Sequence, residues 1–516
     1  MDALDFSAGR MDAGSSRRPF TWHRCLILCL PALLIGTCLR VTFLSSIPEG
    51  FYGADSGSYF QPTVDLWTKS RISFQEKRRW LYQFFLLPLP AMPVSPARTV
   101  PILQHLAGLA TIFGIGWVVG NLTRLRELWV PAVTILAAVW PKMLWSEHEV
   151  IAEALLLGAF VLTAALGSPP GALMNRRRLF WYLIAAAMVV AFKPHGRGIW
   201  LGCILAAALI TRNPLRWDWK CWAAIAGGVV IILTSGSTRQ GNWLMLNSTL
   251  PLVNLEAPKW KEYREALKPV VLKTRGELDQ YAWTQGEYKK PLISSDPAKI
   301  GPVWAELTGD DKFSQVCGDL AKGGILEHPV TFTQFMFTKI GISFATGAHT
   351  HRFAPKAFWE KQGEINRENW QRSRSDPKVF YRMDQAGTEQ LANERKARKN
   401  WLEPFTEFIQ RKFVFVYDNE DPLTHKHWLS PGWMGLLAFF GLLVCLMPRR
   451  FTATSILWLP AILCLVTVFA IGDRHAQYVQ PVEWVLMVWM AIGLDVILMA
   501  LYALLCRAHR KTAAPA

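Results

Sequence analysis

The most regular feature of the chain is a succession of long apolar stretches separated by short polar and basic loops. Leu, Ile, Val, Ala, Phe and Trp follow one another almost without interruption, whereas an amphipathic soluble helix would show a stripe. Several stretches are shorter than the about 20 residues that a membrane span needs, so we expect their ends to extend into the flanking loops. The pattern predicts ten membrane helices, at roughly 25–45, 99–121, 129–145, 150–167, 179–193, 198–211, 220–238, 428–448, 452–472 and 479–506.

The segment 331–347 decides whether the number of spans is ten. It is apolar but short, and Thr, Gln and Lys339 interrupt it. If it crossed the membrane, the basic pair Arg449 and Arg450 would move to the outside. We interpret it instead as an interfacial helix lying on the bilayer. The predicted fold is therefore an all-α polytopic membrane protein with about ten spans, in a range of about ten to thirteen.

Basic residues are concentrated in alternate loops, which gives the predicted bundle a direction. Loops rich in Lys and Arg tend to stay in the cytoplasm. We therefore expect an integral plasma (inner) membrane protein with both termini in the cytoplasm. With ten spans, the following basic residues all lie on the predicted cytoplasmic side: Arg10, Arg17, Arg18, Arg24, Arg124, Arg126, Arg176, Arg177, Arg178, Arg212, Arg216, Lys220, Arg449, Arg450, Arg507, Arg510 and Lys511.

This orientation divides the chain into predicted regions with different roles. The long loop away from the cytoplasm is large enough for a small soluble domain, and it has helix-like patterns around 258–273 and 383–402. The regions are a cytoplasmic tail, 1–24; an N-terminal transmembrane module, 25–238, with a first outer loop, 46–98; an extracytoplasmic domain, 239–427, which includes 331–347; and a C-terminal transmembrane module and tail, 428–516.

Composition narrows the class of protein further. Hydrophobic residues make up 51% of the chain and charged residues 18%, below the about 25% that is usual in soluble proteins. The 24 Trp fit many crossings of the membrane interface, where amphipathic rings are favoured. A net charge of +17 would suggest nucleic acid in a soluble protein, but here it lies largely in short loops. We therefore expect no nucleic-acid partner.

The first outer loop begins IPEGFYGADSGSYFQPTVDLW and contains the first candidate residue, Asp55. A carboxylate near the membrane surface can accept a proton from a hydroxyl nucleophile or hold that hydroxyl in position. The same residues also match a helix start, with Asp55 or Ser56 as N-cap of a helix that runs through Tyr59 to Leu66. Both interpretations can hold together.

The second outer loop, WPKMLWSEHEVIAEALLL, crowds Glu147, His148, Glu149 and Glu153 into seven positions. Glu149 and Glu153 are four apart, so we expect them on one helical face. Ionisable residues at a membrane helix end are costly unless paired or hydrated, which makes them functional candidates. A solvated helix start, with Glu favoured by the helix dipole, is the alternative. Acidic residues with a His could also hold a divalent metal, although this ligand set is not specific.

The two remaining outer turns contain positive residues, although Lys and Arg are otherwise concentrated in the predicted cytoplasmic loops. The turn AFKPHGRGIW contains Lys193, His195 and Arg197, and an anionic group such as phosphate would compensate them. Long basic side chains that reach lipid phosphates are the alternative explanation. The last turn, IGDRHAQYVQPVEW, contains Arg474 and Tyr478, which an Asp–Arg pair and an interfacial Tyr would also explain.

These four segments, in this order and on one predicted side, resemble the membrane glycosyltransferases of the GT-C class. The resemblance is to the bacterial branch related to protein O-mannosyltransferases and lipid A aminoarabinose transferases. That branch has an Asp followed four residues later by Tyr, matched by Asp55 and Tyr59 in D-S-G-S-Y. Many relatives have a second acid after the Asp, where this chain has Ser56.

Three further motifs extend the resemblance over about 45–200 and 430–495. Pro141 and Glu153 match a Pro at the end of the third helix and an acid that opens the fourth. Lys193 followed by Pro matches a basic residue and Pro at the next outer turn. The family has R-Y-x-x-P near its C-terminus; this chain has Q-Y-V-Q-P, with Arg474 four residues before Tyr478.

The resemblance implies an enzyme that transfers a hexose or pentose from a polyprenyl-phosphate carrier to a glycan, lipid or protein outside the cytoplasm. It implies that Asp55 is the base in an inverting reaction, supported by Tyr59 and Tyr478. No cofactor follows with certainty, although a divalent metal cation is compatible. The residues implied to hold the donor phosphate are Lys193, His195, Arg197 and Arg474, and those implied on the acceptor side, or at a metal, are Glu147, His148, Glu149 and Glu153.

Other classes of protein remain compatible with the pattern. A transporter or lipid flippase would have charges in mid-helix, broken helices and inverted repeats. A non-catalytic component of an envelope polysaccharide assembly system would use loop 239–427 as a docking module. A polymerase or ligase would use a lipid-linked oligosaccharide in place of a single sugar.

Overall fold

Helices account for the architecture of the part of the chain that the computed structural model describes. This part comprises residues 19–52, 56–74, 79–234, 249–280, 311–345, 376–382, 431–471 and 476–512, with isolated residues between 242 and 246 and between 386 and 394. Its helices are α1 (Trp22–Ser46), α2 (Ser56–Lys69), α3 (Trp80–Leu86), α4 (Pro96–Leu122), α5 (Arg126–Ala138), α6 (Pro141–His148), α7 (Glu153–Gly167), α8 (Arg176–Phe192), α9 (Gly196–Thr211), α10 (Trp219–Thr234), α11 (Lys261–Gln280), α12 (Asp311–Glu327), α13 (Pro329–Ala345), α14 (Asp376–Tyr381), α15 (Pro431–Leu446), α16 (Pro448–Ile471) and α17 (Ala476–Thr512).

The predicted all-helical character is confirmed for the described residues. Their only strand-like contact is an isolated parallel bridge between Phe51 and Glu149. Each of the ten predicted spans coincides with a helix or, for 129–145, with a pair of helices. Within the described ranges, four helices are long and apolar enough to cross a membrane: Trp22–Ser45, Pro96–Leu122, Pro448–Val468 and Val479–Cys506.

The remaining apolar helices are shorter than a full span. Glu153–Gly167, Gly196–Thr211, Trp219–Thr234 and Gly435–Leu446 each have fewer than 18 residues. The chain is therefore a helical protein with several helices that can cross a membrane.

The predicted helix 129–145 is wrong as a single element, because the structure breaks it between Ala138 and Pro141. The residue before a proline is disfavoured in the helical conformation, and Trp140 is extended, with φ −69° and ψ 115°. The chain bends by 50° at this break. If α5 and α6 together count as one span, the described part of the chain has five candidate spans. The bend turns the polar end of α6 towards α4.

A buried carboxylate joins the last helix of the chain to the turn between α4 and α5. Asp495 lies within α17 and is fully buried. It accepts hydrogen bonds from the backbone N–H groups of Arg124 and Leu125, at 3.0 and 2.9 Å, just before α5 begins. A carboxylate within an apolar helix is costly unless its oxygens find donors. Asp495 therefore fixes the packing of α17 against the turn between α4 and α5.

Two glycines let α9 approach α16 closely. Gly198 and Gly202 are four residues apart, in the G-x-x-x-G spacing that brings small residues to one helix face. A Cβ atom at Gly198 would overlap the backbone of Leu463, and one at Gly202 would overlap the backbone of Pro460. The two backbones are therefore in direct contact along this interface.

We expect Gly202→Ala to lower the free energy of unfolding by about 1–3 kcal/mol, because the added methyl group has no space beside the α16 backbone. Gly227→Ala in α10 is the matched control, since no atom lies within 4 Å of a Cβ built there. It should be neutral or stabilising by up to about 1 kcal/mol through helix propensity. Thermal unfolding in detergent measures both, and equal effects would contradict the close contact.

The described parts of the region 239–427 contain a second, smaller core. Residues from α11 and α12 and the short segment before them bury the side chains of Leu246, Leu250, Val253, Tyr263, Leu267, Val271, Val316, Cys317, Leu320 and Ala321. The helical pattern around 258–273 is confirmed by α11. The pattern around 383–402 lies almost entirely outside the described residues.

The ambiguous segment 331–347 is helical over its described part. It forms α13, a helix of 17 residues that contacts α16 and α17. Its predicted position at the surface of the bilayer stays a prediction.

Candidate functional site

The segment on either side of Asp55 is attached to the residues that follow α6. The backbone N–H of Phe51 donates to His148 O at 2.8 Å, and the N–H of Val150 donates to Phe51 O at 3.0 Å. On the other side, Ser56 Oγ donates to Val150 O at 3.0 Å. Asp55 itself lies outside the described residues. The two predicted outer loops that contain Asp55 and the acidic residues are therefore joined by hydrogen bonds.

The predicted helix from Ser56 through Tyr59 to Leu66 is confirmed, as α2. Tyr59 is buried, and its ring meets the edge of Tyr82 at a centroid distance of 5.1 Å. Tyr82 Oη donates to Gln104 Oε1 at 2.8 Å. Burial raises the pKa of Tyr82 well above its ordinary value, with smaller contributions from Tyr59 and Glu149. Tyr82 therefore stays a neutral donor near pH 7.

The four acidic-loop candidates are all buried, but they do not form one cluster. Glu147 pairs with Arg40, His148 bonds to His105, and Glu149 Oε2 accepts from Trp145 Nε1 at 2.9 Å. Glu153 forms an ion pair with Lys193. Their burial excludes the alternative of a solvated helix start.

The expectation that Glu149 and Glu153 share a helical face is wrong. Glu149 follows the end of α6 with φ −92° and ψ 145°, an extended conformation, and α7 begins only at Glu153. The physical reason is the bridge to Phe51, which holds residue 149 extended and interrupts the helix.

These residues do not offer a shared metal site in the described part of the chain. No group of three or more His, Cys, Asp or Glu side chains there is placed to hold a metal ion. The carboxylates of Glu147, Glu149 and Glu153 instead have separate protein partners, namely Arg40, Trp145 and Lys193.

The turn between α8 and α9 carries the three predicted phosphate ligands, which differ in their surroundings. Lys193 is buried and paired with Glu153, whose other oxygen, Oε2, has no hydrogen-bond partner among the described residues. Burial, and second the charge of Lys193, lower the pKa of His195 well below its ordinary value, so His195 is neutral near pH 7. Arg197 is half-buried, and its Nε has no hydrogen-bond partner within the described ranges. The turn therefore has two positive groups, and not three.

Arg79 adds a cation that the sequence patterns did not single out. It is 1% exposed, and its Nη1 donates to Ile231 O in α10 at 2.6 Å. Its Nε and Nη2 have no hydrogen-bond partner in the described part of the chain. Burial, and second the positive charge of Arg197, lower the pKa of Arg79 to about 10. Arg79 is thus still charged near pH 7, and neither cause of its shift is a counter-charge.

We call Arg79, Lys193 and Arg197 the cation group. Arg79 immediately precedes α3, which packs against α8, and Lys193 immediately follows α8. The same short helix α3 carries Tyr82, the ring partner of Tyr59. The cation group is therefore connected through α3 to the helix that begins just after Asp55.

A sequence signal for Arg79 existed in the first predicted outer loop. Lys77, Arg78 and Arg79 are consecutive basic residues, and such runs are unusual on the outside by the same charge rule that orients the bundle. Basic residues in a predicted outer loop could therefore have identified Arg79 as a candidate, as they did for Lys193 and Arg197.

The last predicted outer turn falls mostly outside the described residues. Arg474 belongs to that part, and Tyr478 lies in the first turn of α17 without a described side chain. A neighbouring residue on α17 does contact the site region. Glu483 forms a buried ion pair with Lys142 and accepts from Trp140 Nε1 at 2.9 Å.

A segment of the long loop is packed against the first outer loop. The ring of Phe380 in α14 is fully buried and lies 5.1 Å from the Tyr52 ring and 5.2 Å from the Phe60 ring, measured between centroids. Arg382 donates to the carbonyl oxygens of Pro90 and Pro93, at 2.6 and 3.1 Å. The region 239–427 thus touches residues on both sides of Asp55.

Comparisons of this chain with known proteins gave no match. No protein-family model matches it, and no curated protein and no solved structure is significantly similar to it.

Proposed function

We propose that the protein transfers a sugar from a polyprenyl-phosphate donor to a glycan, lipid or protein acceptor on the outer side of the plasma membrane. In this proposal ten helices cross the membrane, both termini are cytoplasmic, and the site faces outward. The observation that carries the proposal is the cation group, in which two nitrogen atoms of the buried Arg79 have no hydrogen-bond partner among the described residues.

A phosphate is the ligand that suits these atoms. Guanidinium groups bind phosphate oxygens through parallel N–H bonds, and such charge-assisted bonds are about twice as strong as neutral ones. An anion would also offset the burial of Arg79 and its repulsion by Arg197, the two causes of its lowered pKa. The surrounding apolar helices suit a polyprenyl chain, whose tail requires an apolar surface.

The same cations would assist the chemical step. When the sugar leaves its carrier, negative charge develops on the phosphate, and positioned cations stabilise it most in a site with little water. Asp55 acts as the base that accepts the proton of the acceptor hydroxyl, which gives inversion at the anomeric carbon. Two observations support this role. Phe51 and Ser56 are hydrogen-bonded to residues 148–150, and the Tyr59 ring contacts the Tyr82 ring in α3.

We expect Arg79→Gln to weaken donor binding by about 10- to 100-fold, because each hydrogen bond to a charged group contributes about 1.5–3 kcal/mol. The affinity for a lipid-linked sugar donor and its KM in a transfer assay measure the loss. Arg24→Gln is the control, since Arg24 forms an exposed pair with Glu127 and such pairs contribute little. Unchanged donor affinity in a folded Arg79→Gln protein would refute the phosphate site.

A lipid-phosphate flippase is the second candidate, favoured by two observations. The helix break between α5 and α6 and the buried ion pair of Arg40 with Glu147 are features expected of transporters. A flippase would need the cation group but no base. Liposomes that contain the Asp55→Asn variant would test for this function. Lipid-phosphate flipping by this variant, together with no sugar transfer by the wild type, would favour a flippase.

A further inference from the structure

A buried hydrogen-bonded pair, Tyr82 and Gln104, joins α3 to α4. Both side chains are fully buried, and Tyr82 Oη lies 2.8 Å from Gln104 Oε1. An amide oxygen only accepts, so the phenol hydroxyl is the donor. The short helix α3 therefore has a directional contact with one of the long helices of the bundle.

The other end of the Gln104 amide binds the segment that follows α6. Gln104 Nε2 donates to the carbonyl oxygens of Glu149 and Glu147, at 2.7 and 3.0 Å. The carbonyl oxygen of Ser146 lies 3.4 Å from the same nitrogen. Two of these carbonyls belong to the last turn of α6, where they have no partner within the helix. Gln104 thus satisfies backbone groups that the end of α6 leaves open.

This segment in turn holds the chain that precedes Asp55. The backbone N–H of Phe51 donates to His148 O at 2.8 Å, and the N–H of Val150 donates to Phe51 O at 3.0 Å. Gln104 binds carbonyls on both sides of residue 148, so its amide supports the backbone on which Phe51 rests.

The ring of Tyr82 contacts the chain that follows Asp55. It meets the Tyr59 ring of α2 nearly at right angles, at a centroid distance of 5.1 Å. One side chain therefore acts on the described residues on either side of Asp55, directly through its ring and by way of Gln104 through its hydroxyl. Tyr82 also lies in the first turn of α3, which Arg79 of the cation group immediately precedes.

The position of α3 depends on such contacts. The helix has seven residues, far fewer than the about 12–15 that a helix needs to persist alone in water. Packing must therefore fix its direction, and with it the place of Arg79. The Tyr82 hydroxyl supplies a polar and directional part of this packing.

We propose that Tyr82 and Gln104 are positioning residues that hold the cation group at a fixed distance from the segment around Asp55. The inference rests on the proposed function, in which the cations bind the donor phosphate and Asp55 accepts the proton of the acceptor. An error of about 1 Å between reacting groups can cost about 10²-fold in rate. Phosphate binding needs the cations alone, so the two residues should affect the chemical step and not donor affinity.

Tyr82→Phe in the full chain tests this separation, because it keeps the ring and removes the hydroxyl. With whichever polyprenyl-phosphate hexose or pentose the wild type uses, kcat should fall about 10- to 100-fold. The donor KM and the affinity for sugar-free polyprenyl phosphate should change by less than about threefold, since Arg79 is retained.

Tyr182→Phe is the matched control. Tyr182 is also fully buried, and its hydroxyl donates to Cys203 O at 3.3 Å, between α8 and α9. The control loses a comparable hydrogen bond and should keep the wild-type kcat and KM. Equal kcat values for the two variants would overturn the proposal.

A double-mutant cycle tests whether the Tyr82 hydroxyl acts through Gln104. Gln104→Met has similar volume and no hydrogen-bonding amide. In this background Tyr82→Phe should lower kcat by no more than about twofold, because the partner of the hydroxyl is already gone. The full 10- to 100-fold loss in both backgrounds, about as expected for independent sites, would overturn the link.

Hydrogen exchange of the detergent-purified full chain, measured by mass spectrometry, tests the same link without any sugar transfer. The amides of Phe51 and Val150 should exchange about 5- to 10-fold faster in Tyr82→Phe than in Tyr182→Phe, because their supporting segment opens more often. Equal exchange in the two variants would overturn the proposal. Faster exchange in a protein that transfers no sugar would refute the proposed function and support the link between α3 and the segment around Asp55.

Discussion

Replacing Asp55 by Asn is expected to lower the rate of sugar transfer by about 10²–10⁴-fold, because a positioned general base contributes this much to a proton-transfer step. The amide cannot accept the proton of the acceptor hydroxyl, although it occupies nearly the same volume. Donor binding should stay near the wild-type value, since the proposed phosphate ligands belong to the cation group. A transfer assay with a lipid-linked sugar, together with a donor-binding assay, separates the two effects.

Asp65→Asn provides the matched control for this experiment. Asp65 lies in α2, in the same predicted outer loop, and its carboxylate already accepts from Lys69 and Gln61, at 2.8 and 3.0 Å. Its loss should alter stability slightly and leave the chemical step intact. Wild-type transfer by Asp55→Asn would show that Asp55 is not the base.

Lys193→Met is expected to lower the free energy of unfolding by about 3–5 kcal/mol, the cost of removing one partner of a buried ion pair. The remaining Glu153 carboxylate is fully buried, and its Oε2 already has no partner among the described residues. The charge would therefore be left without compensation between α7 and α8. Chemical or thermal unfolding in detergent measures the loss.

The double variant Lys193→Met with Glu153→Gln separates a charge effect from a packing effect. It removes both buried charges, so most of the lost stability should return. A double variant as unstable as Lys193→Met alone would show that packing, and not the unpaired Glu153, is responsible.

The helices could be predicted because their signal is local. Continuous apolar residues identified each span region, and Pro141 carried the signal for the break that the predicted helix 129–145 ignored. The start of α7 was missed by three residues, because the bridge between Phe51 and Glu149 joins positions far apart in the chain. A sequence pattern reports on residues that are close in the chain, so it could not predict this long-range contact.

The partners of the candidate residues could not be predicted for the same physical reason. Glu147 bonds to Arg40, 107 positions away, and Lys142 pairs with Glu483, 341 positions away. Sequence patterns identified Glu147, Glu153 and Lys193 as unusual charges. Only the packing of helices shows that Glu153 and Lys193 neutralise each other.

We propose that the cation group binds the phosphate of a polyprenyl carrier. Binding of a polyprenyl phosphate and of the uncharged polyprenol of equal length, measured by native mass spectrometry on the purified protein, tests it most directly. The phosphate form should bind at least about tenfold more tightly, because it gains charge-assisted bonds to Arg79 and Arg197. Arg79→Gln should remove most of this difference. Equal binding of the two lipids by the wild type would contradict the claim.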